Sequence, residues 1–210
     1  MHPITEQEIK DIIIAFKNNR APGPDGLSIE FYKTMFPYIK NELTQLFNGY
    51  LKNGRILAET KSSFIKLIPK RTPYNLVENF RPISLLNCDY KIFTKILSKR
   101  LQPILDEIVH ESQYAQPGKN INDLNTLARD IIGDMSNSVL DSFFVSVDFR
   151  KAYDTVCHKY LFQILEKYGF PTNFINVIKE IFRDAGSHIL INGYKSKKKK
   201  LNLVPNRVTP

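Results

Sequence analysis

One acidic residue stands at the end of an apolar run, in the segment FFVSVDFRKAYDTVCHKYL at residues 143–161. The run alternates with a period of two, which predicts a β-strand over residues 142–148 that ends at Asp148. A carboxylate at the end of a buried strand can hold a hard cation, because its side chain projects into the crevice beyond the sheet. The same pattern also fits an Asp148 that caps the following turn. Asp154 is interpreted as a cap or an ion-pair partner rather than a metal ligand.

Two basic residues accompany two shorter predicted strands. The apolar residues 64–68 are closed by Pro69 and lead into Lys70. A polar loop over residues 72–79 separates them from a second predicted strand, residues 80–84, which carries Arg81. Lys70 is open to a second interpretation, as an ordinary solvated lysine.

Helical periodicity occupies most of the remaining chain. Thr5 and Glu8 form a capping-box pair that predicts a helix over about residues 5–17, and the Pro- and Gly-rich residues 21–26 predict a rigid turn after it. The pattern then predicts two helices, a further helix from Tyr90 that Pro103 breaks or kinks, and three later helices. Their apolar positions centre on residues 31–36, 43–51, 92–101, 124–135, 161–168 and 174–182, and a last strand, 188–191, enters the Asn192-Gly193 turn.

Composition limits the class of protein. The chain has 210 residues, enough for one domain or a piece of one, and 42% of them are hydrophobic. A net charge of +9 favours a polyanionic partner, with nucleic acid ahead of anionic membrane. Two cysteines make no disulfide framework and predict no disulfide-linked partner. Neither a membrane span nor a signal peptide is evident, so we expect an intracellular location, nucleus or cytoplasm, and no secretion.

Four blocks together resemble the reverse transcriptases of non-LTR (LINE-type) retrotransposons. The segment at 143–161 resembles their motif A, and APGPDG at 21–26 followed by Phe31-Tyr32-Lys33 resembles their lead-in. LIPK at 67–70 and NFRPISL at 79–85 are similar to the two fingers motifs, in the order and spacing of the family. The resemblance covers about 190 residues. It implies an α/β (α+β) fold: part of a right-hand polymerase, with fingers over residues 1–138 and an incomplete palm over 139–210.

The resemblance also implies roles for individual residues in RNA-directed DNA synthesis. Asp148 matches a catalytic carboxylate that binds Mg²⁺, and Tyr153 matches the aromatic gate that excludes a 2′-hydroxyl from the sugar site. The remaining implied contacts are with nucleotide for Lys70, Arg81 and Phe149, and with nucleic acid for Arg100 and Lys119. The implied partners are an RNA template, a DNA primer and deoxynucleoside triphosphates.

Three departures from the family pattern accompany these matches. The block at 113–121 is one residue short and has Lys119 where the family has Arg. Beyond Tyr194, the Gly-rich motif and the double-aspartate box of the family do not occur in these 210 residues. Two-metal nucleotidyl transfer needs more than one carboxylate. We therefore expect this polypeptide on its own to lack polymerase activity, and a non-catalytic nucleic-acid-binding remnant or a non-functional gene fragment stays open as an alternative.

The lysine-rich segment KSKKKK at 195–200 has three interpretations. It can be a solvated tail, a nuclear-entry or phosphate-binding patch, or the trace of a shifted reading frame in a decayed gene.

Overall fold

The computed structural model describes residues 1–70, 72–73, 76–109, 113, 118, 120–136, 143–149, 152–183 and 186–200. The chain forms two compact units: residues 1–98 with the chain from residue 153 onward, and residues 99–152. The described helices are α1 (Glu6–Ala15), α2 (Ile29–Asn53), α3 (Cys88–Ile108), α4 (Ile121–Ser136), α5 (His158–Lys167) and α6 (Thr172–Phe182). The described strands are β1 (Ser62–Pro69), β2 (Phe80–Leu86), β3 (Gly186–Ile191), β4 (Tyr194–Lys195) and β5 (Lys199–Lys200). This α/β architecture confirms the predicted fold class.

Helix α1 begins as its sequence predicts. The Thr5 side chain accepts a hydrogen bond from the Glu8 backbone amide, and the Glu8 carboxylate accepts one from the Thr5 amide. The reciprocal pair satisfies two amides that the first turn leaves without helical partners. Ile9, Ile12 and Ile13 then lie on one buried face.

Two helices contain prolines in their interior. Helix α2 is one helix of 25 residues that contains Pro37, so the prediction of two helices is wrong. Apolar residues before and after Pro37 enter the same core, and this shared burial outweighs the missing hydrogen bond. Helix α3 contains Pro103 and ends at Ile108, so Pro103 does not break it. Pro103 and Lys99 are both exposed, which lets water solvate the carbonyl that the proline leaves unpaired.

The sheet has the order β2-β1-β3-β4, and β5 also pairs with β3. Strands β1 and β2 are antiparallel, with Ile68 opposite Arg81, whereas β1 and β3 are parallel, with Phe64 opposite His188. A two-residue turn joins β3 to β4, and its Asn192 and Gly193 have φ of 48° and 81°. Two successive positive φ angles define the type I′ turn that matches strand twist, so the predicted strand and turn are confirmed.

The lysine-rich segment 195–200 folds back along β3. Leu190 pairs with Lys195 in β4, and Ser187 pairs with Lys199 in β5. The two pairings differ by one residue in register, so the residues between them form a β-bulge. Within it, the Ser196 amide donates to the Ile189 carbonyl at 3.0 Å, and the Ser196 hydroxyl accepts from the Ile189 amide. The segment is therefore an edge of the sheet and not an unpaired tail, although the side chains of Lys195, Lys197 and Lys198 are exposed.

One apolar core holds α1, α2 and α3 together with the middle and end of α6, through Val177, Ile178 and Ile181. Its most deeply buried side chains are Ile9, Phe47, Ile92, Phe93 and Val177. The rings of Phe47, Tyr50 and Phe93 contact one another with centroids 5.3–6.3 Å apart. This core is the base from which the sheet extends.

Residues 143–149 do not form the strand that their sequence pattern predicts. The structure assigns them no strand, and their apolar side chains are exposed: Phe143 by 84%, Val145 by 76% and Val147 by 75%. A strand requires a partner for its amides and carbonyls, and the strands that the structure describes pair only within the β1 to β5 sheet. The predicted buried strand over 142–148 is therefore wrong where the structure describes it, over residues 143–148.

Candidate functional site

Lys70 and Arg81 lie close together at the outer end of the β1–β2 pair. The Lys70 amide donates to the Asn79 carbonyl at 2.7 Å, which continues the ladder one position past Pro69, while Arg81 pairs with Ile68. Lys70 and Arg81 are therefore diagonal neighbours, an arrangement that places two positions about 7–8 Å apart on the same face. Both side chains are exposed. The structure thus brings together the two cations that the sequence singled out on these strands.

The two cations belong to a larger face of the sheet, which we call the open face. It carries Phe64, Lys66 and Ile68 of β1, and the strand register places their cross-strand neighbours His188, Leu190, Ile83 and Arg81 on the same side. Lys66 and Arg81 are exposed, and Ile68 retains 41% of its accessibility. On the opposite side, Ser63 and Ser187 are buried and hydrogen-bonded to each other, so that side faces the core. The strands contain neither Asp nor Glu, which leaves the open face positively charged.

The predicted catalytic segment, residues 143–161, is divided between the two compact units. Its residues up to 152 belong to the unit 99–152, and those from 153 onward belong to the unit that contains residues 1–98. Asp148 is exposed and lies outside regular secondary structure, and Phe149 retains 77% of its accessibility. Tyr153 lies in a short 3-10 helix, Ala152–Thr155, where the structure describes only its backbone. The functional roles of these three residues stay predictions.

The structure describes one of the two residues that are predicted to contact nucleic acid. Arg100 is half-buried in α3. Lys119 lies outside the described residues. The roles of both residues stay predictions.

The Pro- and Gly-rich turn at 21–26 docks against the end of β2, a contact that sequence reasoning missed. A Cβ on Gly23 would overlap Asn87 Oδ1 and the Asn87 amide nitrogen, and it would lie 2.5 Å from the Leu86 carbonyl carbon. Only glycine allows this approach. Asn87 is buried, accepts a hydrogen bond from the Asp25 amide at 3.3 Å and donates to the Glu59 carbonyl at 3.1 Å. The turn therefore holds the end of the strand that carries Arg81, and no local signal in the sequence marks Asn87.

Titratable groups cluster beneath this turn. Burial, and then repulsion from Asp25, raises the pKa of Asp89 above its ordinary value. Burial also raises the pKa of the Cys88 thiol and of the Tyr32 hydroxyl, and it raises the pKa of Tyr90 to about 12. These shifts follow from desolvation of the charged forms at the edge of the core, and they indicate neutral tyrosines and a neutral thiol at neutral pH.

The described residues contain no set of three or more His, Cys, Asp or Glu side chains arranged to hold a metal ion. Carboxylate oxygen is the donor that Mg²⁺ prefers, so Asp148 suits that ion chemically. One carboxylate nevertheless supplies only part of the ligand set for two ions. None of the helices that the structure describes is long and apolar enough to cross a bilayer, and Cys88 and Cys157 are free thiols.

Comparison with known proteins gives the family. The family model for reverse transcriptase (RNA-dependent DNA polymerase) matches residues 68–206. The chain is 34% identical over 191 residues to the uncharacterized 149 kDa protein of transposon TX1 from Xenopus laevis, covering 90% of this chain and 15% of that protein. It is 27% identical over 205 residues to the RNA-directed DNA polymerase from mobile element jockey of Drosophila melanogaster, covering 92% of this chain and 21% of that protein.

A third relative is the retrovirus-related Pol polyprotein from the type-1 retrotransposable element R2 of Popillia japonica, 28% identical over 191 residues, with 90% of this chain and 26% of that protein covered. The chain thus spans about a quarter or less of these relatives. The family implies a nucleic-acid template, nucleotide substrates and a divalent metal. Most of the chain is matched by the family model and by its relatives, and it therefore belongs to the reverse transcriptases, of the non-LTR retrotransposon type.

Proposed function

We propose that this chain binds the incoming deoxynucleoside triphosphate in RNA-directed DNA synthesis, through Lys70 and Arg81. The observation that carries the proposal is their diagonal placement on the exposed face of the β1–β2 pair. A triphosphate is a chain of anionic oxygens. A guanidinium fork offers it two parallel hydrogen bonds, and an ammonium offers it a mobile point charge.

The surroundings of the two cations support this role. The described residues of β1 and β2 include Lys66 as a third cation and carry no carboxylate, so a phosphate approaching this face meets only positive charge. The ladder bond from Lys70 to Asn79 and the contact of Asn87 with the turn at 21–26 hold both ends of this strand pair. A site on paired strands positions its side chains more accurately than a site on a loop.

The remaining roles in the proposal rest on the match to the family. Asp148 would supply a carboxylate ligand to Mg²⁺, Phe149 would contact the nucleotide, and Tyr153 would reject a ribose by steric exclusion at C2′. Arg100 and Lys119 would contact template or primer phosphates. Bound Mg²⁺ would neutralise charge on the transferring phosphates.

Nucleotide titration of the 210-residue chain tests the proposal. With Mg²⁺ present, isothermal calorimetry with a deoxynucleoside triphosphate should show about tenfold weaker binding for Arg81→Gln and for Lys70→Gln. Lys10→Gln is the matched control, because it removes the same charge from an exposed position on α1. Tyr153→Ala should lower the ratio of the affinity for a deoxynucleoside triphosphate to the affinity for the matching ribonucleoside triphosphate. Equal affinities in the parent chain, Arg81→Gln and Lys70→Gln would contradict the proposed nucleotide site.

An extension assay tests whether the isolated chain can also carry out the transfer step. We expect the 210-residue chain alone to bind a primed RNA template without extending the primer, because these residues include only part of the carboxylate set. Extension by the isolated chain would show that the catalytic set is complete within it.

A further inference from the structure

A concave pocket of about 400 Å³ lies where the end of α1, the chain that follows it and the first turns of α3 meet. This volume falls within the range of small-molecule sites in proteins. The whole pocket belongs to the compact unit that contains residues 1–98. None of the residues that line it lies on β1 or β2, so it is distinct from the site proposed for the triphosphate.

Four of the residues that line this pocket are basic and none is acidic. Lys17 and Arg20 follow α1, whereas Lys91 and Lys95 are four positions apart on α3 and therefore share one face of that helix. Within the part of the chain that the structure describes, none of the four forms an ion pair with a carboxylate. Like charges that lie close together repel one another, and an anion that binds between them relieves this repulsion.

The segment that carries two of these cations, residues 16–20, is fastened to α2. The Lys33 ammonium donates to the Phe16 carbonyl at 2.7 Å, and the Glu30 carboxylate accepts a hydrogen bond from the Asn19 amide. The Phe16 carbonyl belongs to the end of α1, where a helix carries partial negative charge, and the Lys33 ammonium offsets that charge. The cations of this segment therefore project from an anchored backbone.

The pocket also has an apolar part. Its Ile29 and Cys88 side chains are buried, and Phe16 is half-buried. Burial raises the pKa of the Cys88 thiol, and the charge of Lys91 opposes part of this rise, so the thiol and the ammonium lie near each other. An anion that is held by the cations would therefore place any apolar group that it carries against these side chains.

From this arrangement we propose that the pocket binds a small organic phosphate, with its phosphoryl group between the four cations and its apolar group against Phe16 and Ile29. The Arg20 guanidinium offers a phosphate two parallel hydrogen bonds, and the three ammonium groups add point charges. A phosphate monoester is favoured over a carboxylate because it carries more negative charge at neutral pH and balances more of the charge of four cations.

The shape of the pocket favours a small molecule over a macromolecule. A nucleic-acid strand binds along a groove that follows its backbone, whereas this concavity has room for one phosphate and one apolar group. An anionic membrane presents a plane of headgroups to its protein partner, and cations that line a concavity do not match such a plane.

Isothermal calorimetry with phenyl phosphate tests the proposal. Arg20→Gln and Lys91→Gln should each weaken binding about fivefold or more, because each removes a charge-assisted hydrogen bond. The matched control is Lys10→Gln, which removes a charge from an exposed position on α1 outside the pocket and should leave the affinity unchanged. Inorganic phosphate should bind about fivefold more weakly than phenyl phosphate, since it has no apolar group to bury. Arg81→Gln should not alter the affinity for phenyl phosphate, so failure of this pocket and failure of the nucleotide site are distinguishable.

Alkylation of Cys88 gives an independent readout of the same pocket. In the Cys157→Ser variant, which lacks the exposed thiol, phenyl phosphate above its dissociation constant should slow the reaction of Cys88 with iodoacetamide about threefold or more. Phenol at the same concentration should not slow it, because phenol has the ring without the phosphate. Adding Arg20→Gln should remove most of the protection.

Several outcomes would overturn the proposal. They are equal losses of phenyl phosphate affinity in Lys10→Gln and Arg20→Gln, alkylation of Cys88 at the same rate with and without phenyl phosphate, and tighter binding of inorganic phosphate than of phenyl phosphate. A single-stranded RNA oligonucleotide should bind Arg20→Gln and Lys10→Gln equally well. A loss of RNA binding in Arg20→Gln alone, without binding of phenyl phosphate to the parent chain, would assign the pocket to a strand instead. Circular dichroism spectra verify that each variant is folded.

Discussion

Lys61 and Glu180 form a buried ion pair across 119 positions of the chain, with Lys61 Nζ 2.8 Å from Glu180 Oε1. The same ammonium also donates to the Glu180 and Arg183 carbonyls, at 3.1 and 2.8 Å. Their side chains are only 3% and 8% exposed. The pair joins the residue before β1 to the carboxyl end of α6, and it sits where β1 and β3 begin their parallel pairing.

Lys61→Met should lower the free energy of unfolding by about 3–5 kcal/mol, because it removes the buried ammonium from two carbonyls and from a buried carboxylate, which then keeps the exposed Arg183 at 3.4 Å. The matched control is Lys40→Met, which breaks the half-exposed Lys40–Glu6 pair and should cost less than about 1 kcal/mol. Urea unfolding measures both. Recovery of most of the loss in the double variant Lys61→Met with Glu180→Leu would support the explanation, and equal effects of the two single variants would contradict it.

Gly23→Ala should destabilise the chain by about 3 kcal/mol, since the new methyl group would overlap backbone atoms of Leu86 and Asn87 that cannot move aside. Gly49→Ala, within α2 with open space at its Cβ position, should instead stabilise by about 1 kcal/mol through helix propensity. Thermal and urea unfolding provide the comparison. A neutral Gly23→Ala would mean that the turn at 21–26 does not dock on β2.

Asp89→Asn should flatten the dependence of stability on pH. Burial raises the pKa of Asp89 in the folded chain. Between the ordinary carboxyl pKa and this raised pKa, the folded chain holds a proton that the unfolded chain has released. The contribution of this proton to the free energy of unfolding is therefore complete below the ordinary pKa, and it is lost as pH rises through the raised pKa. Asparagine keeps an oxygen for the Tyr90 amide, which donates to Asp89 at 2.6 Å. Unfolding measured from pH 4 to pH 7 tests the sign, with Asp11→Asn as an exposed control; a steeper fall in Asp89→Asn would contradict it.

Asn192→Ala should cost about 1 kcal/mol, because alanine in the left-handed region meets a steric penalty that asparagine tolerates better. Asn192→Gly should stay within about 0.5 kcal/mol of the parent chain, since glycine takes positive φ freely. Urea unfolding of the three chains tests whether the β3–β4 turn is type I′, and an equal loss in both variants would argue for another turn.

Local patterns were sufficient for helices α1, α5 and α6 and for the turn between β3 and β4. The capping box at Thr5 and Glu8, the apolar periodicity of α1, α5 and α6, and the Asn192-Gly193 turn depend on contacts between residues only a few positions apart. The two strands near Lys70 and Arg81 were predictable for the same reason, whereas their antiparallel pairing is a finding of the structure.

Contacts between residues far apart in the sequence determined the strand pairing, the docking of the turn at 21–26 and the placement of the lysine-rich segment. The parallel pairing of β1 with β3, the approach of Gly23 to Asn87, and the placement of Lys195 over Phe64 each join segments more than 60 residues apart. The core that spans Pro37 kept α2 in one piece, against the local preference of proline. Residues 143–149 show the converse case, since a strand-like pattern forms no strand where the structure gives it no partner. Periodicity indicates which side of a helix or strand is apolar. Whether that side is buried, and whether a strand is paired, depends on which other element packs against it.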